Sequence, residues 1–227
     1  MNFNTEEIKV STPRLKGNQI HTVVFDGIEA VDLKDGLYKT LQFKFHNNEG
    51  TFTHTEFELK DEDAQETMGQ FGKQPSRLMS FMTLLRHLGN AVSPNLVKLC
   101  NDKTALNNIT WDQLRKKVVE AAKDGIGKET KIKLMSRMRT DPNTGEQREV
   151  AEFPRYIVAY NRQGELYMQT NFIGNNTYFT NKEITRMKQA EKKPTDMTVP
   201  TTANTDKFDV PAAPQKDAFD DIDISNL

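Results

Sequence analysis

Residues 37–59 read LYKTLQFKFHNNEGTFTHTEFEL, and the period of their apolar residues decides the fold class. In an extended chain successive side chains point to opposite sides. Leu37, Leu41, Phe43 and Phe45 therefore share one face, and Tyr38, Thr40, Gln42, Lys44 and His46 share the other. The intervening HNNEGT has the Asn and Gly content of a hairpin turn, so a second strand follows at GTFTHTEFEL. Upstream, GNQIHTVVFDGIEAVDL (17–33) is equally rich in Val and Ile and is bounded by Gly and Asp, which makes three antiparallel strands. Phe43, Phe45, Phe57 and the later Phe172 are assigned to the core.

Working outward, KDEDAQETMGQFGKQ (60–74) reads as a polar connection. A helical block follows over about 75–124. Leu78, Phe81, Met82, Leu85 and Leu88 recur at helical spacing before Gly89, SPNLVKLC places Pro94 in a first turn, and Thr110 with Gln113 makes a capping box. β-pattern returns at KETKIKLMSRMRT (128–140), turns through DPNTGE, and continues as FPRYIVAYN (153–161) and ELYMQTNF (165–172). A short strand near TYFT and a short helix over 182–193 complete the body. The chain is thus mainly β with a helical insertion, an α+β sequence. This order matches an OB-like antiparallel Greek-key barrel, with a helix between its third and fourth strands. An α+β fold with an unclosed sheet accounts for the same string.

The last 34 residues differ in kind. From Pro194 the chain holds four of nine prolines and no helical or strand period, which predicts a disordered linker and tail over 194–227 after a domain over 1–193. Seven aspartates against Lys207 and Lys216 give 194–227 a charge of about −5, so with −1 overall the rest carries about +4. Mean hydropathy is −0.71, and no apolar run approaches the roughly 18 residues of a membrane span. The N-terminus lacks a signal-peptide pattern and the single cysteine excludes an internal disulfide, which predicts a soluble protein of the reducing cytoplasm.

No Walker-type glycine loop, GxSxG or HExxH is present, and His21, His46, His54, His87 and Cys100 have no metal-ligand spacing. The expectation is a protein without catalysis, cofactor or metal. The strongest local feature is KIKLMSRMR (131–139). Alternation sends Lys131, Lys133, Met135, Arg137 and Arg139 to one face, a ladder of cations about 7 Å apart. Such a ladder either grips the phosphates of an extended nucleic-acid strand or is a solvated outer face. Tyr38, Lys39 and Lys44 on the second strand, with Tyr156, Tyr160 and Tyr167 later, add the aromatic faces and charges that single-stranded nucleic acid stacks on and pairs with. Trp111 is either a packing anchor or, with Arg115, Lys116 and Lys117, part of a second basic patch.

The chain ends KDAFDDIDISNL, where Asp217, Asp220, Asp221 and Asp223 interleave with Phe219, Ile222 and Ile224 before Leu227. With the linker KPTDMTVPTTANTDKFDVPAAPQ and the β-rich body, this layout resembles the single-stranded DNA-binding proteins of tailed phages and bacteria. The resemblance implies an OB-type body that binds single-stranded DNA in replication, recombination and repair. It also implies a tail, Phe219, Asp220, Asp221, Ile222, Asp223, Ile224 and Leu227, that recruits replication and recombination proteins and competes with DNA. The compartment implied is the cytoplasm, the host's if the chain is phage-encoded, with no membrane partner and with a homo-oligomer left open. Bacterial members finish on a proline and an aromatic, whereas this chain finishes Ile224-Ser225-Asn226-Leu227, closer to the phage type. The competing reading is a protein-interaction or assembly factor of a replication complex or virion, with no nucleic acid contact.

Overall fold

A computed structural model describes residues 13–69, 72–141 and 144–191. Its elements are, in chain order, β1 (Gln19–Leu33), β2 (Tyr38–Asn47), β3 (Gly50–Phe57), β4 (Thr67–Gly69), β5 (Gly72–Gln74), α1 (Arg77–Ala91), α2 (Pro94–Asn101), α3 (Lys103–Leu106), α4 (Trp111–Ala122), β6 (Glu129–Thr140), β7 (Gln147–Glu152), β8 (Val158–Tyr160), β9 (Leu166–Met168) and α5 (Asn181–Glu191). The protein is mixed α+β. Five antiparallel strands form one sheet in the order β3-β2-β1-β6-β7, and β4-β5 and β8-β9 are separate two-stranded hairpins. In the run β6-β1-β2-β3 a fourth strand returns by a long connection to lie beside the first, which is the Greek-key arrangement.

β1 pairs with a different strand along each half and carries a bulge where the two halves meet. Gln19–Val24 pair with β6, and Val24–Leu33 pair with β2. The register slips between Phe25 and Gly27, with Asp26 as the extra residue, and Gly27 takes a φ of 124° that side chains disfavour. The bulge shifts which residues face inward, from Val23 and Phe25 before it to Ile28 after it. On β2 the inward set is Leu41, Phe43 and Phe45, all buried, as the alternation predicts.

The sheet is open, the second of the two arrangements that the strand order allowed. Its edges are β3 and β7. The start of β3's free edge is taken by the preceding chain, where Thr51 N donates to Pro13 O at 2.8 Å and Leu15 N to Thr51 O at 3.0 Å. Gly50 permits that crossing, since a Cβ there would lie 2.3 Å from Pro13 O. β7 also lies in QREVAE rather than in 153–161, where the sequence reading continued the strand. Four of its six residues are polar or charged and none is buried, so no hydrophobic alternation announced it.

The helices close the inner face. α1 is capped by Ser76, which accepts from Met79 N, and buries Phe81, Leu84, Leu85 and Leu88 at helical spacing. α4 opens with the Thr110–Gln113 capping box and buries Trp111, Leu114, Val118 and Ala122 as it packs on β1 and β2. Trp111 is a packing anchor: its ring meets Phe81 at 5.7 Å and its Nε1 donates to Lys39 O at 3.1 Å. A chain of rings links the sheet to the later segments, Phe45 to Phe52 at 6.1 Å, Phe52 to Phe153 at 5.0 Å and Phe153 to Phe172 at 5.5 Å. Cys100 is buried in this core, and burial pushes its thiol up to about 11.

Candidate nucleic-acid interface

The register fixes what the sheet turns away from its core. Lys44 pairs with Thr53 across to β3 and with Gly27 across to β1, and Tyr38 lies four pairs from Gln42, on the same outward side. On β6 the outward set is Glu129, Lys131, Met135, Arg137 and Arg139, continued on β7 by their cross-strand partners Glu152, Val150 and Arg148. Tyr38, Lys44, Lys131, Arg137 and Arg139 of the sequence-derived set thus share one face of one sheet. Beyond Leu134 β6 has no further pairing with β1, so Met135–Thr140 and β7 form a two-stranded ribbon exposed toward its tip.

Each of these cations has a defined setting. Lys44 Nζ meets Glu29 at 2.5 Å. Arg137 and Arg139 both donate to Glu152, at 3.2 and 2.8 Å. Arg139 sits directly opposite Arg148, a like-charged cross-strand pair that is unfavourable on its own. Lys131 is exposed. At the far end of β1, Tyr38 (41% exposed) packs edge-on against Phe57 (48% exposed) at 6.1 Å, and Lys34 Nζ lies 5.5 Å from the Tyr38 ring. Two exposed rings beside a cation form a surface on which a base can stack.

Two lysines of the set are not available on this face. Lys133 has the right parity, yet it is 0% exposed. The segment 169–183 lies over it. Phe172 O accepts from Lys133 N at 2.8 Å, and Lys133 Nζ donates to Asn171 Oδ1 and Tyr178 O, each at 3.2 Å, and to both Glu183 oxygens at 2.9 and 3.0 Å. Burial pulls its ammonium below the ordinary lysine value against the pull of Glu183. Burial would likewise raise Glu183, but hydrogen bonds from Lys133 and Thr180 outweigh it and hold the carboxyl below its ordinary value. Lys133 is therefore a structural cation. Lys39 points the other way, toward α4, where Asp112 binds it at 2.5 Å and raises its pKa.

The tyrosines of the later segments sit off the sheet. Tyr156 is exposed in the connection after β7, with Arg155 5.1 Å from its ring. Tyr160 hydrogen-bonds Glu66, and Lys73 lies 5.0 Å from its ring, tying the β8-β9 hairpin to β4-β5. The Glu66 carboxylate raises the Tyr160 phenol. Tyr167 is opposite Ala159, and burial, then Glu183, pushes its phenol up. Arg115 is buried against Asp32 at 2.6 Å and Asp112 at 2.8 Å, so it contributes to packing rather than to a second basic patch. Phe219, Asp220, Asp221, Ile222, Asp223, Ile224 and Leu227 lie outside the described residues.

Sequence reasoning missed Phe57, Lys34, Arg148 and Glu183. Phe57 was assigned to the core, but Phe52 is the inward ring of β3, and an odd separation of five sends Phe57 outward. Glu183 carried a visible signal too: Thr180-Asn181-Lys182-Glu183 is a capping box, and Thr180 N donates to Glu183 Oε2 at 2.8 Å while Glu183 N donates back to Thr180 Oγ1 at 3.3 Å. His46 and His54 do not meet across the hairpin; they pair with Asp26 and Glu56. Among the described residues no group of three or more His, Cys, Asp or Glu could hold a metal ion, and no helix is long and apolar enough to cross a membrane. No protein-family model, curated protein or solved structure matches the chain.

Proposed function

We propose that this chain is a non-catalytic single-stranded DNA-binding protein of DNA replication, recombination or repair. The observation that carries the reading is the shared outward face of the sheet, with Tyr38, Phe57 and Lys34 at one end of β1 and Arg137, Arg139 and Arg148 on the ribbon at the other. A strand lying along that face would stack bases on exposed rings and set phosphates against guanidiniums. The Greek-key order of β6-β1-β2-β3 is what an opened OB-like barrel would retain, and in OB folds the face of strands 2 and 3 and the connections flanking it bind oligonucleotides. On this reading the acidic-apolar C-terminus recruits replication and recombination proteins and competes with DNA, and the protein works in the cytoplasm.

The test is fluorescence anisotropy of a labelled oligo-dT of about thirty nucleotides across a series of salt concentrations. If about four to six phosphates are neutralised, the log–log salt slope is roughly −3 to −4. Absence of binding at low salt would end the reading. A second reading, a protein-interaction or assembly factor, is favoured by one feature: large apolar side chains stand exposed on the two hairpins, Met68 of β4 at 80% and Leu166 and Met168 of β9. Charge reversal at Arg137 and Arg139 separates the two, weakening DNA binding about 30-fold on the first reading and sparing partner capture on the second.

A further inference from the structure

The ribbon holds more than a row of cations. Three arginines, Arg137, Arg139 and Arg148, share its outward face with a single carboxylate, Glu152. Glu152 is the last residue of β7, immediately before the buried Phe153, and its side chain is only 19% exposed. Its two oxygens are divided between two guanidiniums, Oε1 to Arg137 and Oε2 to Arg139. That is how one phosphate would be shared by the same pair. Meanwhile Arg139 and Arg148 face each other directly, an arrangement that a bound anion would relieve.

We infer that Glu152 is a built-in competitor for the ligand's phosphate, and that Arg148, with Arg139, is the cation pair the phosphate bridges when Glu152 is displaced. This rests on the proposed DNA-binding reading and gives that site its affinity-setting residue. The carboxylate has two consequences. It keeps Arg137 and Arg139 aligned in the free protein, which lowers the ordering cost of binding. It also neutralises charge that would otherwise condense on phosphate, so binding is weaker and less salt-dependent than three free arginines would give. Contacts that cannot displace Glu152, such as an isolated small anion, gain little from the ribbon.

The experiment measures oligo-dT binding by anisotropy at several salt concentrations for the wild-type chain, Glu152→Gln and Arg148→Glu. Glu152→Gln keeps a side chain of the same size while removing the charge, and it is expected to tighten binding about tenfold at moderate salt. Its salt slope should steepen by about 0.7, the contribution of one more neutralised phosphate on a single strand. Arg148→Glu, at an exposed position, places a second carboxylate opposite Arg139 and should weaken binding about tenfold with a shallower slope. A purely structural Glu152 would leave the slope unchanged. Wild-type binding with an unaltered affinity and slope in Glu152→Gln overturns the competitor role, and an unaltered Arg148→Glu overturns the bridging pair. No binding by any of the three proteins overturns the DNA-binding reading itself, and this inference with it.

Discussion

The two halves of β6 carry the same sequence pattern and meet opposite fates. In Thr130–Leu134 the strand runs between β1 and the segment at Phe172–Gly174, and Lys133 is sealed against Glu183. In Met135–Thr140 β7 is its paired strand, and Arg137 and Arg139 stand in solvent sharing the Glu152 carboxylate. Alternation assigns a side of the sheet but does not say whether anything covers that side. Coverage comes from residues about forty to fifty positions later, and it separates a cation that holds the body together from cations available to a ligand.

The sharpest test of the contrast is Lys133→Ala, which leaves the partly buried Glu183 without its lysine partner. The expected cost is about 3–5 kcal/mol, read as a lower urea midpoint. Lys131→Ala, two residues away on the same face, should change stability by no more than about 0.5 kcal/mol. Equal losses at the two lysines would erase the distinction between the halves. Replacing both partners, Lys133→Met with Glu183→Leu, should restore most of the stability, because the desolvation cost of the pair disappears with its attraction.

The second test works from the ribbon. Arg137→Glu with Arg139→Glu should lower oligo-dT affinity about 30-fold, equivalent to ~2 kcal/mol, while the urea midpoint stays within the range of ordinary surface changes. A large loss of stability in this pair of substitutions would mean that the outer half of β6 is also structural. The third test moves to the other end of β1. Phe57→Ala should reduce affinity about tenfold if a base stacks on the Tyr38–Phe57 surface, a loss of ~1.4 kcal/mol within the range for base–aromatic stacking.

How much of this could be read in the chain follows from the same contrast. The inward residues of β2 and the helices α1 and α4 were legible, since each depends on neighbours within one element. Trp111 was left between two roles because its partners Phe81 and Lys39 come from other elements. Phe57 was legible by parity and was misassigned through its hydrophobicity. β7 was not legible: Gln147–Glu152 has neither a buried face nor a β-rich composition, and only its backbone pairing with β6 makes it a strand. The site was half legible for a related reason. Lys39 and Lys133 carry the right charge in the right neighbourhood, but Asp112 and Glu183 claim them from other elements.

The smallest expected effect concerns pH, and it follows the charge of the Lys133–Glu183 pair. Glu183 in the folded protein lies below its ordinary carboxylate value of 4.5, the balance of burial against hydrogen bonds from Lys133 and Thr180. Its contribution is therefore fully present above about pH 4.5 and is lost as pH falls through the depressed folded value. Lys133, also below its ordinary value, acts only at alkaline pH and with the other consequence. There the unfolded state binds the proton more readily, so stability rises as pH climbs toward 10.5. Asp63, Glu66 and Asp112 are lowered as well, but by partners near the surface that are common to every variant. The difference between wild type and the Lys133→Met, Glu183→Leu protein cancels them. Stability measured by urea unfolding from pH 3 to pH 7 should fall more steeply in acid for the wild type than for that variant. Parallel curves would mean that Glu183 gains nothing from Lys133, and that the cover over the inner half of β6 is held by its backbone bonds alone.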